Sequence, residues 1–468
     1  MRIAFLILFG LFCFFGGALA QAQVQAPIKS QLQAHSISLL EDRAANVPEI
    51  FITEADATLL VWPPAGGAGK WRMLWLNDSL QKLWDGQYDI PAGFNLSLSC
   101  YDSANSGVFC LFAQADRPAR LLLLYLNSKS SLADSRFVTL PFDAEISQVY
   151  FTTGGLYLLG NYKRAEVGFF LPFNTNRPQI LQALGQKQNE VIATYTVGDT
   201  ALCSILRTGP APRPVYRRLL FGDGAVIADS VLSSFSRNFS PFQYYPSGGG
   251  KGGFGVYGSA RSPYPQGIFL AQNGSPRLFP FQRSEAFYDY LSARKKAVFV
   301  KKYGKQPGQS IARRMTHHAT LLGDGKQVLL SEHYTRYNLN NSFGPFANPA
   351  IGPAREGYSF NAVTLSIVAE KDTAPEISSF PLPTIISASL GPNVFFLPDS
   401  GLICLQGGKL LMRTRRLDDE WKPLELNDLG KQMQALEFNY IVGERQALYF
   451  FATEKYKPNI FHLFKVKF

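Results

Sequence analysis

MTHHATLLGDGKQVLLSEHY, residues 315–334, is the stretch that decides the fold class. Its Asp324-Gly325 pair separates two runs in which apolar and polar residues alternate. That is the strongest short-range signal for a hairpin with a two-residue turn, because both central positions need φ > 0. A turn at 324–325 sets a register in which Leu321 faces Val328, Ala319 faces Leu330 and His317 faces Glu332. The face carrying His317 and Glu332 is the more apolar one, while Thr316, His318, Gln327, Ser331 and His333 share the other. A carboxylate buried without a partner costs several kcal/mol, so His317 and Glu332 are expected to form a structural pair.

The same unit recurs. Turn signals stand at Ala55-Asp56, near Asn105, and at Gly154-Gly155, Gly198-Asp199, Asp223-Gly224, Asn273-Gly274, Gly407-Gly408 and Gly443-Glu444. Several successive ones lie roughly 50 residues apart, a period that four-stranded propeller blades produce. With two long insertions, at 237–267 and 336–357, the length fits an all-β propeller of about seven blades, six to eight being compatible. No blade signature repeats, so the competing architecture is a pair of β-sandwiches. The expected organisation is a leader at 1–20, a linker at 21–45 and one propeller domain at 46–468.

Both insertions are rich in Gly, Pro and aromatic residues. Long loops on a rigid scaffold are where binding residues usually sit. In the first, Tyr244, Tyr245, Tyr257 and Tyr264 are candidates for a surface on which sugar rings stack. The second brings a resemblance into view. Glu332-x-Tyr334, a long aromatic loop, Glu356-Gly357-Tyr358 and the closing run NIFHLFKVKF resemble exported β-rich proteins of Bacteroidetes that have no assigned activity. The resemblance covers the C-terminal third. It implies an exported, all-β protein of the cell envelope and no functional residue.

Targeting and redox context point the same way. Arg2, an apolar run at 3–15 and Ala18-Leu19-Ala20 make a secretory leader, expected to deliver the chain to the periplasm or outer surface. No later run is long enough to span a bilayer as a helix. Of the five cysteines, four follow the leader. Cys100 and Cys110 flank the turn DSANSG and are expected to face each other as a cross-strand disulfide. Cys203 and Cys404 lie in apolar runs and read as core residues.

The formal charge is +11, but Lys and Arg are scattered, apart from short clusters at 294–296, 301–302 and 413–416. That pattern suits a solvated surface and gives no reason to expect nucleic acid. No catalytic residue, metal site or cofactor is nominated. There is no G-x-S-x-G, the Gly-rich run 247–255 lacks the P-loop Lys-Ser/Thr, and two histidines on one hairpin face are too few for a metal.

The resulting expectation is an envelope binding module for a glycan or a protein. The alternatives are a polysaccharide hydrolase or lyase on the same scaffold and an outer-membrane β-barrel. The last is suggested by the alternation of Phe464, Val466 and Phe468 at the C-terminus. Runs apolar on both faces, such as LLLLYL, speak against a barrel with a polar lumen.

Overall fold

The computed structural model describes residues 34–40, 49–52, 58–62, 64, 70–102, 105, 107–127, 133–186, 189–209, 215–232, 240–246, 252–258, 264–272, 275–303, 314–321, 326–338, 356–368, 374–387, 393–397, 401–406, 409–414, 420–424, 436–444, 447–454 and 457–467. These residues form eight separate antiparallel sheets of four strands each. Counted from the N-terminus, the first strands of the eight blades are Glu49–Ile52, Phe94–Asp102, Glu145–Thr152, Asn189–Val197, Ser240–Pro246, Arg314–Leu321, Val394–Leu397 and Leu436–Glu444.

Why the sheets form a ring follows from their two-sided burial. In blade two the strand Gly107–Gln114 sends Val108, Cys110 and Phe112 into a core shared with blade one. Phe109 and Leu111, on its opposite face, enter a core shared with blade three. Further shared cores join blades three and four, four and five, five and six, and six and seven. Blade eight touches blade seven through its first strand, and Tyr449, Phe451 and Leu463 pack it onto Leu60, Trp62 and Leu74 of blade one. A strand buried on both faces need not alternate, which accounts for runs such as LLLLYL. Because the sheets are not hydrogen-bonded to one another, the barrel alternative does not hold. The chain is an all-β propeller of eight blades.

First strands of blades two, three, four and five touch in succession, so first strands line the hub. Last strands lie at the rim, where Ala225–Val231 of blade four is exposed at every position. The expected linker contributes the closing strand. Ala34–Leu40 pairs with the C-terminal strand Lys457–Lys467 and completes blade eight.

Eight is the upper end of the expected range, reached because one expected insertion is part of a blade. Within 237–267, Ser240–Pro246 and Gly252–Gly258 are the first two strands of blade five. Their glycines are packing devices: a Cβ on Gly253 would lie 2.2 Å from the Tyr244 ring, and one on Gly255 would lie 2.0 Å from the Gln243 carbonyl oxygen. The true insertion precedes blade six and carries the helix α1, Ala293–Tyr303.

Two hairpin registers differ from expectation by one position. Leu321 pairs with Gln327, so five residues separate the paired ends and His317 faces Ser331 rather than Glu332. Residues 324–325 themselves lie outside the described residues. Likewise Asp102 pairs with Gly107, which places Cys100 opposite Phe109 and Cys110 opposite Ser99. A slip of one residue turns each side chain to the other face. Cys110 therefore points to blade one and Cys100 to blade three, and all four described cysteines are free thiols. Where Asp223-Gly224 was expected to turn, it does, with φ of 46° and 80° between paired Gly222 and Ala225.

Four free thiols are therefore expected at these cysteine positions. Burial pushes the Cys404 thiol up to about 12, helped by the nearby Glu332 carboxylate, and burial pushes Cys100 up as well. A thiol reagent should label none of the four in native protein and all four in denaturant. A peptide map showing Cys100 joined to Cys110 would contradict the register.

Candidate functional site

The hub strands carry a feature with no outward sequence signature. Five of the eight have a β-bulge near their start, at Ser97, Ser147, Ile192, Phe242 and Asn439. A bulge leaves one residue unpaired and re-aims its neighbours. In blades three and five the residues that follow repeat as Gln-x-Tyr, Gln148-Val149-Tyr150 and Gln243-Tyr244-Tyr245. The Tyr150 hydroxyl lies 3.0 Å from the Thr194 carbonyl of blade four and 3.1 Å from Gln148 Oε1. In the same way the Tyr245 hydroxyl lies 3.3 Å from the His317 carbonyl of blade six and 3.1 Å from Gln243 Oε1. A phenol has one proton to donate. It goes to the neighbouring carbonyl, and the glutamine amide, turned over, donates to the phenol oxygen.

Between the bulges of blades three and four lies a cleft of about 110 Å³. Ser147, Gln148, Asn161, Glu166 and Thr194 supply its polar wall; Leu159, Val167, Leu184 and Val191 supply the apolar one. Two glycines allow close packing beside it. A Cβ on Gly160 would stand 2.1 Å from the Glu145 carbonyl oxygen, and one on Gly168 would stand 2.7 Å from Leu184 Cδ1. Asn161 and Glu166 are direct cross-strand partners, so the register brings amide and carboxylate together. Glu166 accepts a hydrogen bond from the Val191 backbone N–H of the next blade. Burial pushes its carboxyl above the usual carboxylate range; the Val191 hydrogen bond opposes this and the Glu190 carboxylate adds to it. The arrangement offers a carboxyl, two amides and bulged peptide groups to a ligand that carries hydroxyls or amides. Sequence reading missed these residues. The doubled Gln-x-Tyr was the one signal that could have led to them.

The residues nominated from sequence go elsewhere. Tyr257 is buried against Tyr216 of blade four and Phe269. Tyr244 stacks with Tyr195 at 6.2 Å, and Tyr245 stacks on Phe254 at 5.3 Å. These three rings fill interblade space, so they form no open stacking surface. Tyr264 is half-buried, just ahead of the strand Pro265–Gln272.

The histidines and Glu332 divide between the faces of blade six. His317 Nδ1 lies 2.8 Å from Ser331 Oγ. Ser331 pairs with Thr364, and Thr364 pairs with Ser379, so one polar row crosses all four strands. His333 Nε2 joins it at Thr364 Oγ1, 2.8 Å away. On the other face, Glu332 is fully buried and accepts from Asn393 N at 2.8 Å, Asn393 Nδ2 at 2.8 Å and Val394 N at 3.0 Å. Its carboxylate thus anchors the entry to blade seven, and the expected pair with His317 is replaced by these donors. His318 Nδ1 stands 3.9 Å from Glu332, too far for a hydrogen bond. Among the described residues no group of three or more His, Cys, Asp or Glu could hold a metal ion.

No protein-family model and no curated protein matches the chain. Solved structures do. A prolyl endopeptidase is similar at 8% identity and a TM-score of 0.43, over 88% of this chain and 54% of its own. The chain thus spans about half of that enzyme's length. A putative 6-phosphogluconolactonase from Bacteroides uniformis is similar at 12% identity and a TM-score of 0.40, over 78% and 94% of the two chains. The β-propeller domain of the Trilobed protease from Pyrococcus furiosus gives 8% and 0.40, over 82% and 100%. These are similarities of fold alone; blade count and closure rest on this chain's own sheet pairing.

Blade six makes stability depend on pH. Burial lowers His317 from 6.5 to about 3, with neighbouring His318 adding to the effect, and burial lowers His318 to about 4 against its hydrogen bond to the Val394 carbonyl. Both are neutral in the folded chain, whereas the unfolded chain protonates them below pH 6.5. Their contribution is complete above that pH and is lost as pH falls towards 4. Burial raises Glu332, which acts in the opposite sense: its contribution is complete below 4.5 and lost as pH rises through the folded value. Urea titrations between pH 7 and 4 should show falling stability with up to two protons taken up on unfolding, and His318→Gln should remove one. Glu332→Ala should cost about 1–3 kcal/mol for each donor left unsatisfied, and Glu332→Gln less. A pH-independent midpoint would contradict this account of the blade.

Proposed function

We propose that the protein is an exported propeller that binds a glycan at the cell envelope, with the cleft between blades three and four taking one polar arm of it. The observation that carries this reading is the placement of Glu166. Its carboxyl is held by the next blade and lines one cleft with the Gln148 and Asn161 side-chain amides. Side-chain amides and a carboxyl pair with adjacent hydroxyls through both donors and acceptors. Cleft volume sets the size of what enters. A cavity of about 150 Å³ holds one benzene ring, so 110 Å³ suits a substituent of a sugar with the rest of the chain lying across the face. The leader and the resemblance to exported Bacteroidetes proteins are what support the envelope location.

Labelled mature protein on a glycan array, followed by titration of the best ligand, tests this. Glu166→Gln should weaken binding about tenfold, the worth of one charge-assisted hydrogen bond, and Gln148→Ala should weaken it by less. Affinities unmoved by both changes would place the ligand elsewhere. Shortened or unsaturated products would instead make the protein a hydrolase or lyase.

A further inference from the structure

Helix α1 stands in the insertion between blades five and six. Its sequence, ARKKAVFVKKY, holds five cations and no acid. At 100° per residue, Arg294, Lys295, Val298, Lys301 and Lys302 fall within about a third of the helix circumference. Phe299 and Val300 lie outside that arc and pack into the core shared by blades five and six, and Phe299 lies 6.3 Å from Tyr288. The arc is the solvent face: all four of its cations are exposed, and Val298 is 58% exposed. Along the axis the cations form two pairs, 294–295 and 301–302, roughly 10 Å apart.

Helix stability accounts only for Lys301 and Lys302, which stand in the last turn at the negative end of the dipole. The N-terminal end of a helix is partially positive and favours acids, yet Arg294, Lys295 and Lys296 stand there with no acidic residue in the first turn. Lys296, off the arc, is offset by Asp289 at 2.6 Å. Among the described residues Arg294, Lys295 and Lys301 have no such acid. Concentrating like charges on one narrow ridge is unfavourable until a polyanion lies along it.

We propose that α1 is a docking ridge for a linear polyanionic polysaccharide, one that carries carboxylate or sulfate groups along its length. An interfacial membrane helix would turn its apolar side outward; here Phe299 and Val300 face the propeller and one valine remains outside. The ridge is one helix wide, which fits a linear chain better than a flat bilayer. It also lies on the same face as the cleft. In an up-and-down blade the last strand ends, and the next first strand begins, on one side of the disc, and both the insertion and the bulges are there. The proposal does not depend on the cleft, since ridge and cleft share no residue.

The test uses the full mature chain on immobilised heparin and on immobilised polygalacturonate, eluted with salt. Arg294→Gln, Lys295→Gln, Lys301→Gln and Lys302→Gln combined should cut affinity at least tenfold at low salt. Glutamine is a good helix former, so the circular dichroism spectrum should be unchanged. A control removes the same number of charges from other blades, with Lys82→Gln, Arg117→Gln, Arg177→Gln and Lys409→Gln combined, and should retain most of the affinity. Equal losses from both variants would reduce the effect to net charge and overturn the proposal. So would α1-dependent binding to vesicles of one-third anionic lipid, or to duplex DNA, without binding to either polysaccharide.

Discussion

Closure of the ring is the constraint on which the rest depends. Each blade is apolar on both faces, so every sheet needs a neighbour on each side, and an open row of eight would leave two faces in water. The pairing of Ala34–Leu40 with Lys457–Lys467 ties the two ends of the described chain into one sheet. The seam between blades eight and one is reinforced by a buried cation. The Lys465 ammonium is fully buried, pairs with Asp78 of blade one, and lies 5.3 Å from the Tyr449 ring centroid. Asp78 is 40% exposed, so the pair is only partly desolvated.

Closure fixes the blades but leaves the hub to be shaped. The bulges do that locally, opening hub strands without breaking the sheets. Tyr150 and Tyr245 then reach from one hub strand to the carbonyl of the next. The cleft lies where the bulges at Ser147 and Ile192 meet across an interblade seam. Rigid framing of this kind holds a small polar site at low entropic cost on binding. Blade six takes the opposite course. Its polar row ties the four strands together, and the anchored Glu332 ties blade six to the entry of blade seven.

What the sequence determined by itself is set by local chemistry. Apolar alternation and Gly- or Asp-containing turns specified short antiparallel strands; the period near 50 residues specified blades; the Asp223-Gly224 turn formed as read. The exact count needed tertiary structure, because Gly253 and Gly255 look like loop residues until the Tyr244 ring and the Gln243 carbonyl are seen against them. Pairing across a hairpin also lay beyond sequence. One residue more or less in a connection leaves the alternation pattern intact and exchanges the two faces, and so Cys100 parted from Cys110 and His317 from Glu332. The cleft was less legible still. Glu166 meets Val191 from 25 residues away, and Gln148 meets them only through a bulge that composition does not mark. The ridge on α1 was visible as two short basic clusters. That both face outward on one side is a consequence of helical phase and of the core that claims Phe299 and Val300.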